Sequence, residues 1–294
     1  MKAAGSLPHV GRRLLAVLAH PDDESFGPGG TLALYARRGV EVHLACATRG
    51  EVGTVSDELL AGHADVGALR EHELRCAARH LGLTAVHFLG YRDSGMPGSE
   101  DNHHPRALAA APIDDVAAQV TQLIRRLRPQ VVITFDPIGG YRHPDHIAIH
   151  RATLAAFEAS GDPARFTDGG PAYQPLKLYY HTFGRRFFRL AVRVMPLLGR
   201  DPRRFGRNGD IDLADIANQD FPLHAFIDFR QVAEAKAQAT ACHASQGGPP
   251  TSGLLGLLFR LAGGSETFTR AFPPPSPGLR ETDLFEGVPL EGAF

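Results

Sequence analysis

The chain has no tryptophan, only three cysteines in 294 residues, and no surplus of either charge. Cys46, Cys76 and Cys242 are odd in number, far apart and never in a CxxC pair. That spacing argues against a disulfide framework and against a thiolate zinc site, and it points to a reducing cytoplasm. Lys plus Arg (31) nearly cancels Asp plus Glu (32) for a net charge of −1, so no global field favours nucleic acid or an anionic membrane. Long apolar runs are missing as well. Residues 14–19 are too short for a signal-peptide core and lack a cleavage site, and residues 254–261 are interrupted by Arg260. No segment is expected to span a bilayer.

What remains is an ordinary globular composition, 43% hydrophobic, with fifteen histidines scattered along the chain. Short apolar runs alternate with helical periodicity. Strands are expected at 13–19, 40–48, 85–89, 131–135, 176–181 and 225–229, and helices at 31–38, 61–81, 113–127, 147–159 and 232–243. This βαβα rhythm predicts an α/β fold, a mostly parallel sheet flanked by helices on both faces. There are no repeats and no linker, so residues 1–294 read as one domain. Two stretches break the rhythm. Between about 185 and 207, Arg185, Arg186, Arg189, Arg193, Arg200, Arg203, Arg204 and Arg207 interleave with apolar residues. This reads as an insertion with a solvated cationic face, and it is a candidate for peripheral contact with an anionic surface. From about 247 onward Pro and Gly are dense, suggesting an extended tail that wraps the domain.

The chemistry concentrates in two motifs. His20-Pro21-Asp22-Asp23-Glu24-Ser25-Phe26-Gly27-Pro28-Gly29-Gly30 follows the first strand. In an open parallel sheet, ligands bind at the carboxyl ends of the strands. The glycines lack GxGxxG spacing and follow three carboxylates that would repel a pyrophosphate, which disfavours a dinucleotide site. They are read instead as allowing a sharp turn and close approach to a ligand. The second motif, Tyr141-Arg142-His143-Pro144-Asp145-His146, follows the fourth strand, with Pro144 suited to an early helical position. With strand order 3-2-1-4, strands 1 and 4 are neighbours, and the two motifs face each other across the switch point.

Two His and one carboxylate with an open position are the ligand set of a catalytic zinc site, and a free carboxylate beside it can take a proton from water. The positional reading makes His20, Asp23 and His146 the metal ligands, Asp22 the base and His143 the group that supports the oxyanion or leaving group. Position alone does not choose between Asp22 and Asp23 as base.

AHPDDESFGPGG together with YRHPDH resembles the LmbE-like, or PIG-L, zinc-dependent N-acetylglucosaminyl deacetylases. Thr48-Arg49-Gly50-Glu51, Leu69-Arg70 with Glu73, Gly90-Tyr91-Arg92-Asp93-Ser94-Gly95-Met96 and His243-Ala244-Ser245-Gln246 extend the likeness over most of the chain. The resemblance implies a Rossmann-like domain and one Zn2+; the ligand types also admit another divalent metal such as Fe2+. It implies His20, Asp23 and His146 as ligands, Asp22 as general base and His143 as stabiliser of the tetrahedral intermediate. It further implies that Asp145 orients His143, that Arg70 and Asp93 contact the sugar, and that Tyr141 sits over the pocket. His243 ranks below these, and His103 and His104 read as exposed loop residues. The expected activity is hydrolysis of an N-acetyl group from a small-molecule amino sugar. The competitors are an amidase acting on a larger glucosamine conjugate, a non-catalytic sugar- or metal-binding protein, and a phosphoester hydrolase. A homo-oligomer is compatible with this reading; a nucleic-acid partner is not expected.

Overall fold

Leu14 to Leu18 are apolar at every position, the pattern of a strand covered on both faces rather than one, and each is buried in a computed structural model of the chain. The structure describes residues 9, 11–182, 189, 192–204, 209, 212–219, 221–247 and 264–289. Strands β1 (Arg13–Leu18), β2 (Glu41–Cys46), β3 (Ala85–Phe88), β4 (Val131–Phe135) and β5 (Lys177–Thr182) are joined in parallel. With β6 (Ala225–Asp228) and β7 (Ser265–Phe272) they form one sheet in the order β3-β2-β1-β4-β5-β7-β6. The expected α/β architecture and the 3-2-1-4 order are both observed. The chain winds outward from β1 through β2 to β3, then crosses back to place β4 on the other side of β1, creating the switch point.

The helices follow local signals. The turn α1 (Asp23–Phe26) leads into α2 (Gly29–Arg37). A short turn, α3 (Asp57–Leu60), precedes α4 (Val66–Leu81). The longer helix therefore begins at Val66, later than its composition suggests, because Asp65 caps it by accepting from the Ala68 N–H at 2.6 Å. Gly82, at φ +71, closes it. Helix α5 (Ile113–Leu127) packs against α7 (Pro144–Ser160), which follows the kinked turn α6 (Gly139–Arg142). Helix α7 starts at Pro144, earlier than its apolar periodicity suggests, with proline at the first helical position and the His143 side chain accepting the Asp145 N–H. Helix α8 (Leu213–Asn218) precedes β6, and α9 (Ala233–Cys242) packs on α4.

Three expectations need correction. The tail beyond residue 247 is not merely an extended wrapping: Ser265–Phe272 is strand β7, inserted antiparallel between β5 and β6. Its Pro-rich surroundings masked a period-two segment in which Glu266 and Phe268 point inward. Cys76 on α4 and Cys242 on α9 form a disulfide with Cα atoms 5.9 Å apart, leaving Cys46 as a buried free thiol. A separation of 166 residues carries no sequence signal for that pairing; helix packing creates it. The glycines after Ser25 serve packing as well as the pocket. A Cβ on Gly30 would sit 2.2 Å from Cγ of Phe229, so only glycine admits that ring. Of the arginine-rich stretch, Arg185, Arg186 and Arg207 lie outside the described residues, whereas Arg189, Arg193, Arg200, Arg203 and Arg204 are exposed.

β7 also closes the N-terminus of α2. Buried Glu266 accepts the Gly30 and Thr31 N–H groups at 2.8 and 2.7 Å and pairs with Lys236 at 2.5 Å. Replacing Glu266 with Ala strands two buried donors and a half-buried ammonium. Urea denaturation is expected to show a loss of about 2–4 kcal/mol, and a loss below about 0.5 kcal/mol would contradict the cap. Thiol titration of the denatured, unreduced protein is expected to count Cys46 alone, with Cys76 and Cys242 appearing after reduction.

Candidate active site

The β1–β4 pairing aligns Leu14 with Val131 and Ala16 with Ile133, so both strands end at the same level. The chain leaving β1 carries His20 to Asp23, and the chain leaving β4 passes through α6 to His143, Asp145 and His146 at the start of α7. Asp93 arrives from the segment after β3, and Arg70 projects from α4. Of these, His20, Asp22, Asp23, Arg70, Asp93, His143 and His146 line one cavity of about 510 Å³, a size suited to a small ligand, whereas Asp145 is fully buried and does not line it. Val52, Met96, Tyr141, His181 and Gln246 complete much of its wall.

At the floor of this cavity, His20 Nδ1 lies 3.2 Å from His146 Nε2. Asp23 reaches both rings, Oδ2 at 3.6 Å from His20 Nδ1 and Oδ1 at 3.3 Å from His146 Nε2. Four donors around a zinc-sized ion at about 2.0–2.1 Å stand about 3.3 Å apart along a tetrahedron's edges. The His20, Asp23 and His146 donors therefore fit a divalent ion. Asp23 Oδ2 also accepts the His20 N–H at 2.7 Å, and the outer ring nitrogens are engaged: His20 Nε2 lies 3.1 Å from Asp145 Oδ2 and His146 Nδ1 3.2 Å from the Gly139 carbonyl oxygen. Phe135 stacks on the His146 ring with centroids 3.9 Å apart, fixing its plane. Ligand atoms of His20, His143 and His146, and of His20, Asp93 and Asp145, also lie within 4.8 Å of one another.

The adjacent carboxylates are placed in different surroundings. Asp23 faces two imidazoles; burial alone would raise its pKa, but His146 and His20 hold it well below the ordinary carboxylate range. Asp22 is pushed up to about 6, first by burial, with Arg70 pulling it down and Asp23 pushing it up. Burial disfavours a proton on His20, yet Asp93, Asp145 and Asp23 outweigh it and lift that pKa well above its ordinary value. His143 moves the other way, lowered well below its ordinary value by burial and by the neighbouring His20 and His146. A neutral His143 ring whose Nδ1 accepts the Asp145 N–H at 3.2 Å carries its proton on Nε2.

Several sequence-assigned residues make contacts that refine their expected parts. Asp145 touches His143 through its peptide N–H, while its carboxylate accepts from the Ser94 N–H at 2.9 Å and from Ser94 Oγ and lies 3.1 Å from His20 Nε2. Arg70 is buried and donates to Asp22 Oδ2 at 3.0 Å, Pro21 O at 2.7 Å and Gly50 O at 3.0 Å. It holds the Asp22 loop while also facing the cavity. Asp93 accepts from the Gly95 N–H at 2.8 Å, forms an Asx turn, and stands 3.5 Å from His20 Nε2. Tyr141 meets the rings of His143 and His146 edge-on at 5.8 and 5.0 Å. His103 and His104 are exposed, as expected.

The sequence reading gave no part to Glu24, Glu73 or His181. Glu24 is fully buried and lies 2.7 Å from His243 Nε2; Glu73 accepts from the Ser245 N–H and Oγ at 2.8 and 2.6 Å. His181, at the end of β5, lines the cavity, and burial lowers its pKa to about 4. The signal available for Glu24 was its place directly after Asp22 and Asp23, and for Glu73 its place beside Leu69 and Arg70 on α4; His181 has none, because only the sheet order brings β5 beside β4.

Residues 15–157 match the family described as PIG-L, GlcNAc-PI de-N-acetylase. A 1D-myo-inositol 2-acetamido-2-deoxy-alpha-D-glucopyranoside deacetylase from Streptomyces scabiei is 38% identical, over 96% of this chain and 92% of that protein. A protein of the same description from Geodermatophilus obscurus is 41% identical over 80% of this chain and 83% of its own length. Among solved structures, N,N'-diacetylchitobiose deacetylase from Pyrococcus horikoshii shares the fold, with a TM-score of 0.60 at 22% identity over 88% of this chain and 83% of that one. With the donor cluster at the β1–β4 switch point and likeness of this extent along nearly the whole sequence, the chain belongs to the PIG-L (LmbE-like) de-N-acetylase family.

Proposed function

We propose that this protein is a metal-dependent hydrolase that removes the N-acetyl group from a 2-acetamido-2-deoxyglucoside carried on a small polar aglycone. The observation that carries the reading is the convergence of His20, Asp23 and His146 at 3.2–3.6 Å on the cavity floor, directly beside Asp22. The 2-acetamido-2-deoxyglucopyranoside substrates named for the relatives from Streptomyces scabiei and Geodermatophilus obscurus support the choice of sugar.

His20, Asp23 and His146 would hold the ion, with Zn2+ favoured by a nitrogen- and carboxylate-rich donor set. When bound, a divalent ion supplies Lewis acidity to water and to the amide carbonyl. Asp22 takes the proton of the attacking water, because its carboxylate faces the cavity and is not a ligand. Arg70 fixes that carboxylate through the 3.0 Å contact to Oδ2. The His143 Nε2–H donates to the oxygen on which negative charge develops. Protonated Asp22 then returns its proton to the departing amine, closing the proton balance. Arg70, Asp93 and Tyr141 form the wall against which the sugar lies.

Acetate release from N-acetylglucosaminyl glycosides, followed by NMR, tests the reading. Cleavage of bulkier amides with no acetate from any sugar would instead support a conjugate amidase. Asp22→Asn is expected to keep stoichiometric metal while kcat falls about 10²–10⁴-fold. His146→Ala is expected to lose tight metal binding, and stoichiometric zinc after that change would refute the ligand assignment. Because Asp22 acts as a carboxylate, kcat/KM should fall as pH drops and the group takes up a proton. The acid limb should lie no higher than about pH 6, since a cation beside Asp22 only lowers its pKa. A limb above pH 7 would assign the base elsewhere.

A further inference from the structure

Asp22 has an unusual backbone. Its φ of +126° and ψ of −30° lie in a region that residues with a Cβ rarely adopt, a strain that the surroundings must offset. Three sets of contacts hold it there. The Asp22 carbonyl accepts from the Ser25 and Phe26 N–H groups, each at 2.9 Å. The carboxylate accepts from Arg70. The Asp22 N–H donates to Glu24 Oε2 at 3.0 Å.

That last contact depends on how Glu24 itself is held. Glu24 follows two carboxylates in sequence and is completely buried, so its own oxygens need donors. Oε1 receives Ser25 Oγ at 2.5 Å and lies 2.7 Å from Nε2 of His243, which arrives from the end of α9. His243 is 1% exposed, and its Nδ1 has no hydrogen-bond partner among the described residues, so the contact with Glu24 is the ring's one polar attachment there. Phe26 packs edge-on against the same ring at 5.8 Å. A continuous chain of contacts therefore runs from the His243 ring through the Glu24 carboxylate to the peptide N–H of Asp22.

We infer that His243 and Glu24 are positioning residues for Asp22: His243 orients the Glu24 carboxylate, which fixes the Asp22 peptide in its left-handed conformation and so aims the base. The inference rests on the reading of Asp22 as general base. Neither residue lines the cavity, so the effect falls on the chemical step rather than on substrate affinity. A displacement of about 1 Å in a catalytic group is worth up to about 100-fold in rate.

The test compares two substitutions of similar length in the metal-loaded, full-length enzyme. His243→Met keeps apolar volume and removes the donor, whereas His243→Gln places an amide Nε2 the same number of bonds from the backbone as the imidazole Nε2. His243→Met is expected to lower kcat about 10- to 100-fold with KM changed less than about twofold, while His243→Gln restores kcat to within about threefold of the parent. Metal stoichiometry should be unchanged in both. Parental kcat in His243→Met, an equal loss in both variants, or a loss confined to KM would overturn the inference. If His243→Met does not fold, Glu24→Asp takes its place; the shortened carboxylate cannot span the Asp22 N–H and His243, and parental kcat there overturns the inference equally. Asp22→Asn, run in parallel, separates the two readings. Near-parental activity in Asp22→Asn overturns the base assignment and this inference together, whereas an inactive Asp22→Asn beside a fully active His243→Met overturns this inference alone.

Discussion

The parallel pairing of β1 with β4 is the constraint on which the rest of the molecule depends. Leu14, Leu15 and Ala16 lie opposite Val131, Val132 and Ile133, all fully buried. Because the strands are closely packed on both faces, the register has little freedom to slip without moving an entire apolar set. Two loops more than a hundred residues apart in sequence are thereby held at one edge, and His20 meets His146 at 3.2 Å. The cavity stands at the ends of two buried, paired strands, the kind of element that precise placement of reacting groups requires.

A second constraint is electrostatic. Asp22, Asp23 and Glu24 are consecutive carboxylates at the end of a buried strand, and burying three like charges together is prohibitive unless each has its own partners. The structure supplies them separately: Arg70 for Asp22, His20 and His146 for Asp23, and His243 with Ser25 for Glu24. These partners arrive from different elements, α4, the β1 and β4 loops, and the end of α9. Adjacent groups of identical chemistry thus acquire opposite tendencies, Asp23 held ionised and Asp22 raised toward the range useful for proton transfer. The imidazoles of His20 and His146 surround Asp23 and not Asp22, a difference that spacing does not reveal.

Helices α4 and α9 brace this arrangement from outside the sheet. Arg70 and Glu73 lie three residues apart on α4, one reaching Asp22 and the other gripping Ser245 just beyond α9. The Cys76–Cys242 disulfide links the same two helices further along. Glu266 on β7 holds the start of α2, and Phe229 fills the space that Gly30 leaves open. The segments after β5 therefore belong to the framework of the site as well as to the edge of the sheet.

Local chemistry explains what was legible beforehand. Fully apolar strands, amphipathic helices, Pro144 near the start of α7 and the two His/Asp motifs all act over a few residues, and the sequence by itself determined them. Their βα alternation also implied the order 3-2-1-4, since a doubly wound sheet has few allowed connections. β7, the Cys76–Cys242 bridge, the entry of His181 into the cavity and the separate partners of the three carboxylates were decided only by the tertiary structure. Each of these depends on an encounter between segments distant in the chain. Composition and periodicity record what a residue prefers within its own element; they do not record which distant surface that element will meet.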